Sequence, residues 1–181
     1  MAILPILEVP DPRLRRVATP VEAMTDALGA LIADMFETMY AAPGIGLAAP
    51  QVDRPIRLLV MDLMDGPPNG EGRATRNPRV FINPEILERS AELSVYNEGC
   101  LSVPDQYAEV ERPARVRARW RDEHWTLHEA ELDGLLATCL QHELDHLNGV
   151  LFIDRLSRLK REMVLKRLQK QRQEAARRAA A

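Results

Sequence analysis

Large hydrophobic residues recur at intervals of three and four in three segments of the chain, which is the pattern of a helix with one buried face. In the first segment the pattern runs through Leu28, Leu31, Ile32, Met35, Phe36 and Met39. It ends at Ala42-Pro43-Gly44. Thr25 precedes the pattern, while Thr19 and Glu22 also fit a capping box, so the start of this helix stays open between the two positions.

The second segment predicts a helix over residues 134–148, with Asp133 placed to cap it and Gly149 placed to end it. A third helix is predicted to follow Ser157, which is placed as its cap. The large apolar residues of this last helix all lie in its first half: Leu159, Met163, Val164, Leu165 and Leu168. Beyond Leu168 the helix has nothing large to bury, so we expect it to project from the body.

Short runs of β-type residues lie between these helices and predict strands. They are residues 56–61, 80–82, 86–95, 116–120, 125–127 and 150–153. The run 80–82 ends at Asn83-Pro84, residues 121–124 predict a hairpin turn, and residues 64–77 predict a surface loop. Because the strands are grouped rather than alternating with helices, the pattern indicates an α+β fold. We expect mostly antiparallel strands packed around a central second helix, with an N-terminal helix and a projecting C-terminal helix.

The composition is that of a single globular domain. A chain of 181 residues with 46% hydrophobic and 28% charged residues is not a wholly disordered chain, a collagen-like repeat or a disulfide scaffold. The first residues lack the basic and apolar regions of a signal peptide, and no apolar stretch reaches the length of a membrane span. We therefore expect a cytoplasmic monomer that binds neither DNA nor membranes.

Charge divides the chain unevenly. Residues 155–181 contain ten Lys or Arg and two Glu, whereas the preceding part is acidic. This division predicts a single domain over residues 1–154 and a basic C-terminal helix or tail over residues 155–181. Clustered cations favour an acidic partner, and a solvated surface helix is the alternative.

Residues 142–146 read His-Glu-Leu-Asp-His, an H-E-x-x-H motif inside the second predicted helix. Residues four apart on a helix are about 40° apart and one turn up, so both imidazoles can reach a single metal ion. We therefore predict His142 and His146 as metal ligands, with Glu143 near enough to handle a proton of bound water. The alternative is a hydrogen-bonded core pair or a chance match at the surface.

A catalytic transition-metal site normally has three protein ligands, so a third ligand is required. The chain has no His after His146, and Cys100 is the strongest remaining candidate because a thiolate is a soft ligand. Gly99 allows a sharp turn there, which places the Leu101 amide beside the metal as a donor to a developing oxyanion. Cys139, among leucines on the second helix, is predicted to be a buried structural thiol.

The segment Gly44-Ile45-Gly46-Leu47-Ala48-Ala49-Pro50-Gln51 follows the first helix. It has neither the Lys nor the Ser or Thr of a phosphate loop. Its small residues let a substrate backbone lie alongside as an added strand, bonded by amides such as those of Ile45 or Gly46, and Gln51 supplies a neutral amide donor. The alternative is a plain connection between helix and strand.

The three motifs, taken in their order along the chain, closely resemble those of the peptide deformylases of the bacterial and organellar type. The motifs are G-φ-G-φ-A-A-x-Q (residues 44–51), E-G-C-L-S (residues 98–102) and Q-H-E-x-D-H-x-x-G (residues 141–149), and all three are complete. The likeness extends over about residues 5–165. It implies an enzyme that removes the formyl group from the N-terminal formyl-methionine of nascent chains.

The resemblance also implies a role for each matching residue. Cys100, His142 and His146 would bind the metal, Glu143 would be general base and then general acid, and Gln51 and the Leu101 amide would hold the oxyanion. The implied native ion is Fe(II), with Zn, Ni or Co as other possible occupants.

Further residues around these motifs are assigned supporting roles. Glu98, Arg112, Gln141 and Asp145 are expected to brace the ligand-bearing segments, with Arg112 paired to Glu98 or Asp145. Tyr107 stands where several relatives carry an Arg directed at the substrate peptide. The contact that this Arg makes with the peptide backbone is therefore not implied for this chain.

Two other hypotheses remain open from the residues alone. A zinc peptidase is disfavoured by the missing downstream ligand, and a ribosome- or RNA-associated protein with a structural metal is disfavoured by the intact Glu143. For the tail, we expect salt-sensitive ribosome binding through a set of cations. They are Lys166, Arg167, Lys170, Arg172, Arg177 and Arg178.

Overall fold

The structure is a computed structural model that describes residues 2–70 and 72–179. In this part of the chain the α-helices are α1 (Asp26–Ala41), α2 (Gly134–Leu147) and α3 (Arg158–Ala179). The strands are β1 (Gly46–Ala48), β2 (Leu58–Met61), β3 (Arg79–Arg89), β4 (Leu93–Cys100), β5 (Val103–Pro113), β6 (Arg115–Arg121) and β7 (Leu127–Asp133). Short 3-10 helices lie at Pro12–Arg15, Ala49–Val52 and Phe152–Arg155. The predicted α+β class is confirmed.

Five strands form one antiparallel sheet in the order β1-β2-β3-β6-β7, and β4 pairs with β5 in a separate hairpin. The predicted strand end at Asn83-Pro84 is wrong, because β3 continues through it. The pairing of β3 with β6 shifts register between Ile82 and Glu85, and Asn83 has a φ of 50°. An irregularity of this kind accommodates a proline that cannot donate to the ladder.

Two further segments differ from the predictions. The sequence pattern did not predict β5, since its inward positions include Gln106 and Arg112 and the usual apolar alternation is lost. Residues 150–153 are not a strand, because a 3-10 helix begins at Phe152. The Asp154 carboxylate accepts a hydrogen bond from the Leu151 amide at 2.9 Å, which closes this turn. A short apolar run cannot by itself distinguish the two conformations.

Helix α1 begins where the first candidate cap predicted, since the Thr25 hydroxyl accepts a hydrogen bond from the Leu28 amide at 3.1 Å. Its buried face packs on β1 and β2, with Met35 and Met39 fully buried. Burying such a side chain contributes roughly 1.5–3 kcal/mol. The helix therefore fixes the segment that follows it, where one predicted motif lies.

Helix α2 is buried from Ala137 to Leu147 and contacts β1, β2, β5, β6 and β7. The prediction for its end is confirmed, because Gly149 has a φ of +71° and a Cβ there would meet the Arg15 carbonyl oxygen at 2.5 Å. Asp133 occupies the capping position but its side chain makes no capping hydrogen bond, so that part of the prediction is wrong. Burial on nearly all sides holds the α2 side chains in fixed positions.

Helix α3 anchors on the body through Val164 and Leu168, which are both 4% exposed, whereas Leu159 and Met163 are exposed. Contact continues past Leu168, because Arg172 donates to the Val9 carbonyl oxygen at 2.5 Å. The predicted point of projection is thus one turn too early, and residues 173–178 are the exposed end. None of the helices in the described part of the chain has the length and hydropathy needed to cross a membrane.

Candidate metal centre

The H-E-x-x-H residues lie on the buried part of α2. His142 is 8% exposed, Glu143 4% and His146 1%. The two imidazole rings are one turn apart, with centroids separated by 5.1 Å and planes inclined by 68°. The spacing predicted from the sequence therefore brings the two rings together in the interior.

Cys100 reaches the same place from the other side, at the end of β4 where the hairpin turns into β5. Its Sγ lies 3.2 Å from Nε2 of His146. Ligand atoms of Cys100, His142 and His146 all lie within 4.8 Å of one another, and this is the single such cluster among the residues that the structure describes. One thiol and two imidazoles at this separation fit a transition-metal ion that keeps an open position.

A chain of ionic hydrogen bonds orients His142. Its Nδ1 lies 2.8 Å from Oε2 of Glu98, which leaves Nε2 free to bind a metal. Arg112 donates to both oxygens of Glu98, at 2.6 and 2.9 Å, and to Oδ2 of Asp145 at 2.9 Å. Both predicted partners of Arg112 are confirmed. Gln141 instead donates to the carbonyl oxygens of Pro113 and Ala137, outside this network.

The charges in this network are buried and mutually satisfied. Burial by itself raises the pKa of Glu98, but hydrogen bonds from Arg112 and His142 lower it to about 2. Glu98 is therefore a carboxylate at neutral pH. Because Arg112 is only 2% exposed, removing one partner of this buried pair costs on the order of 3–5 kcal/mol.

Glu143 faces β1 at very short range. A Cβ at Gly46 would clash with Oε1 of Glu143, so only glycine lets the strand approach the carboxylate this closely. Within the described residues, Oε2 of Glu143 is buried and has no hydrogen-bond partner. Burial raises the pKa of Glu143 to about 7, which suits a group that accepts and returns a proton near neutral pH.

Gln51 is held in the 3-10 helix that follows β1. Its Oε1 accepts a hydrogen bond from the Ala48 amide at 2.8 Å, which directs Nε2 towards Ser102 Oγ at 3.1 Å and Cys100 Sγ at 3.7 Å. The sequence interpretation did not assign Ser102 a role. The feature of the sequence that points to Ser102 is its place as the last residue of the E-G-C-L-S motif.

A cavity of about 620 Å³ lies between β1, the β4–β5 hairpin and α2, and neither His146 nor Ser102 is among its lining residues. Its lining includes the residues predicted for catalysis and substrate binding, together with two of the three predicted metal ligands: Ile45, Gly46, Gln51, Leu101 and Glu143, with Cys100 and His142. Leu135 and Cys139 add an apolar wall, and burial raises the pKa of the Cys139 thiol well above its usual value. Tyr107 is 64% exposed at the cavity mouth with its ring over Gly99.

The cavity combines three potential metal ligands with a buried carboxylate, an arrangement typical of metal-dependent hydrolases. A sequence profile of the family described as Polypeptide deformylase matches residues 3–162. The chain therefore belongs to the polypeptide deformylase family, whose members remove the N-formyl group from nascent polypeptides.

Individual relatives agree with this assignment over nearly the whole chain. The peptide deformylase of Rhizorhabdus wittichii is 68% identical over 180 residues, covering 99% of this chain and 100% of the relative. The crystal structure of a peptide deformylase from Legionella pneumophila superposes with a TM-score of 0.87 at 45% identity, covering 97% of this chain and 99% of that one. The peptide deformylase of Ehrlichia chaffeensis in complex with actinonin gives a TM-score of 0.85 at 40% identity, with 94% and 98% covered.

Proposed function

We propose that Cys100, His142 and His146 hold one divalent metal ion, and that Glu143 carries the proton during deformylation. The observation that supports this most strongly is that ligand atoms of Cys100 on β4 and of His142 and His146 on α2 lie within 4.8 Å of one another, with the buried carboxylate of Glu143 next to His142 on the same helix. When bound, such an ion supplies a Lewis acid and makes the attacking water more acidic. We therefore propose that α2, which carries the H-E-x-x-H motif, is the central helix around which the antiparallel strands pack.

In this proposal Glu143 acts twice. Its carboxylate takes a proton from water as the water oxygen attacks the formyl carbon, and it then gives a proton to the amine nitrogen as the C–N bond breaks. Formate and a free N-terminus result, so atoms and charge balance. The buried position of Glu143 and its pKa of about 7 support both directions of transfer.

Gln51 and the backbone amide of Leu101 are proposed to stabilise the negative charge that develops on the formyl oxygen. The hydrogen bond from the Ala48 amide fixes the Gln51 carboxamide, so its NH₂ group is already oriented before substrate binds. Leu101 lies in the turn directly after Cys100 and lines the same cavity.

The peptide is proposed to bind along β1 through the amides of Ile45 and Gly46. This strand is at the edge of the five-stranded sheet, so one of its sides has no neighbouring strand within that sheet. The apolar wall formed by Ile45, Leu135 and Cys139 suits the methionine side chain. Tyr107 also lines this cavity and offers the peptide a ring rather than a charge.

We propose Fe(II) as the native ion, with Zn, Ni and Co as ions that the same ligands accept. Protein purified without oxygen is expected to contain iron and to release formate from a formyl-Met peptide. Exposure to air should lower the iron content and the rate together, because oxidation attacks the ion and its thiolate ligand. Zinc with full activity in the anaerobic protein would contradict this assignment.

We further propose a cytoplasmic monomer in which residues 1–154 are the catalytic domain and the cations of α3 bind the ribosome. The exposed end of α3 supports ribosome binding, since Arg177 and Arg178 lie in an exposed stretch and the side chain of Lys170 is 78% exposed. Arg172 is excluded from the test below because it is docked on Val9 and Glu8.

Replacing Lys166, Arg177 and Arg178 with Gln is expected to weaken sedimentation with ribosomes and to reduce its salt dependence. Each lost phosphate contact lowers the magnitude of the slope of log affinity against log salt by about 0.7–0.9, so the loss of three contacts should lower it by about 2 to 3. The matched control replaces Arg115, Arg117 and Arg119 on β6, which changes the net charge equally. Identical salt dependence in both variants would show that the cations of α3 do not bind the ribosome and that α3 is a solvated surface helix.

A further inference from the structure

The ionic network behind His142 continues to the protein surface at Arg155. Nε and Nη2 of Arg155 lie 2.6 and 2.5 Å from Oδ2 and Oδ1 of Asp145. Asp145 also accepts from Arg112, which binds Glu98, which in turn contacts His142. An unbroken series of charged contacts thus joins a proposed metal ligand to a side chain that is 43% exposed.

Charge balance gives Arg155 a specific task in this network. Glu98 and Asp145 are two buried carboxylates, and Arg112 is a single buried guanidinium between them. Arg155 supplies the second positive charge, and it occupies both oxygens of Asp145. Without it, Oδ1 of Asp145 loses its hydrogen bond from Arg155, and the two carboxylates compete for Arg112.

We infer that Arg155 is a positioning residue for the metal centre, acting on His142 through Asp145, Arg112 and Glu98. This inference rests on the proposed role of Cys100, His142 and His146 as ligands. Arg155 is not among the residues that line the cavity, so it acts through the ligands and not through the substrate. The 3-10 helix Phe152–Arg155 carries it to Asp145.

The test compares Arg155→Met with Arg155→Lys and with the control Arg158→Met, each loaded with Co(II). Arg158 is a suitable control because its side chain is 94% exposed and pairs with Glu162 on the same helix. Transfer of Co(II) to a chelator should be about tenfold faster in Arg155→Met, since partners behind metal ligands typically change affinity by about 10- to 100-fold. Arg155→Lys, which keeps the charge but not the two-pronged contact, should lie in between.

Steady-state kinetics on a formyl-Met peptide separate positioning from substrate binding. Arg155→Met is expected to lower kcat with KM unchanged, and Arg158→Met to leave both at wild-type values. In a double-mutant cycle, Arg155→Met should add little to Asp145→Asn, because the two residues act in one network.

Wild-type rates of Co(II) transfer in Arg155→Met would overturn the inference, even if its melting temperature falls. Full additivity with Asp145→Asn would also overturn it. Failure of the proposed metal site itself is recognised separately, since wild-type protein would then lack the Co(II)–thiolate absorption that Cys100 should produce.

Discussion

Glu143→Ala is expected to keep the bound metal while kcat on a formyl-Met peptide falls at least about 10²-fold. A positioned acid–base group typically contributes 10²- to 10⁴-fold, and Glu143 is not one of the three proposed ligands. Glu143 is 4% exposed and packs against Gly46 of β1, a strand that contains no carboxylate to replace it. The measurement is kcat together with metal content on the same preparation.

Glu109→Ala on β5 is the matched control, because that carboxylate is exposed on the hairpin. It should retain wild-type kcat and metal content. If Glu143→Ala instead loses its metal and keeps its activity per bound ion, Glu143 is a ligand and the proton-transfer role is wrong.

Cys100→Ser should weaken metal binding by roughly 10²-fold or more, and Cys139→Ser should leave it unchanged. A lost ligand is expected to cost at least as much as the 10- to 100-fold typical of the residues behind the ligands. Cys139 is a close control because it is the chain's other thiol, lines the same cavity and lies outside the ligand cluster. Metal affinity is measured by competition with a chelator of known strength.

Equal metal affinity in the two cysteine variants would contradict the assignment of the third ligand. A stable Cys100→Ser protein is expected, because Cys100 is only partly buried at a hairpin end. Its circular dichroism and melting temperature therefore separate a lost ligand from a lost fold.

The placement of His142 and His146 was predictable because helix geometry is local. A spacing of four residues puts two side chains on one face whatever surrounds them, and the structure shows the rings together. Thr25 as the cap of α1 and Gly149 at the end of α2 are local in the same sense.

Features set by tertiary contacts were harder to predict. Strand β5 was missed because its inward Gln106 and Arg112 are polar, and they are tolerated inside only through partners on other elements. Arg112 bonds Glu98 on β4 and Asp145 on α2, and Gln106 bonds Gln171 on α3. The place of Ser102 beside Gln51, and of Arg155 beside Asp145, likewise depends on how distant segments meet.

The third ligand was predictable from ligand chemistry and not from spacing. The chain has no His after His146, and the soft thiolate of Cys100 is the strongest remaining candidate, a choice that the match to the E-G-C-L-S motif supports. The structure places that thiol 3.2 Å from Nε2 of His146. Arg155 lies outside the three motifs, so only the contacts of the folded chain point to it.

The most direct test of the proposed centre is a titration of metal-free protein with Co(II), with formate release from a formyl-Met peptide measured at each step. We expect negligible release before metal is added, a linear rise, and a plateau at one equivalent per chain. Full formate release by the metal-free protein in the presence of a chelator would contradict the proposed metal centre.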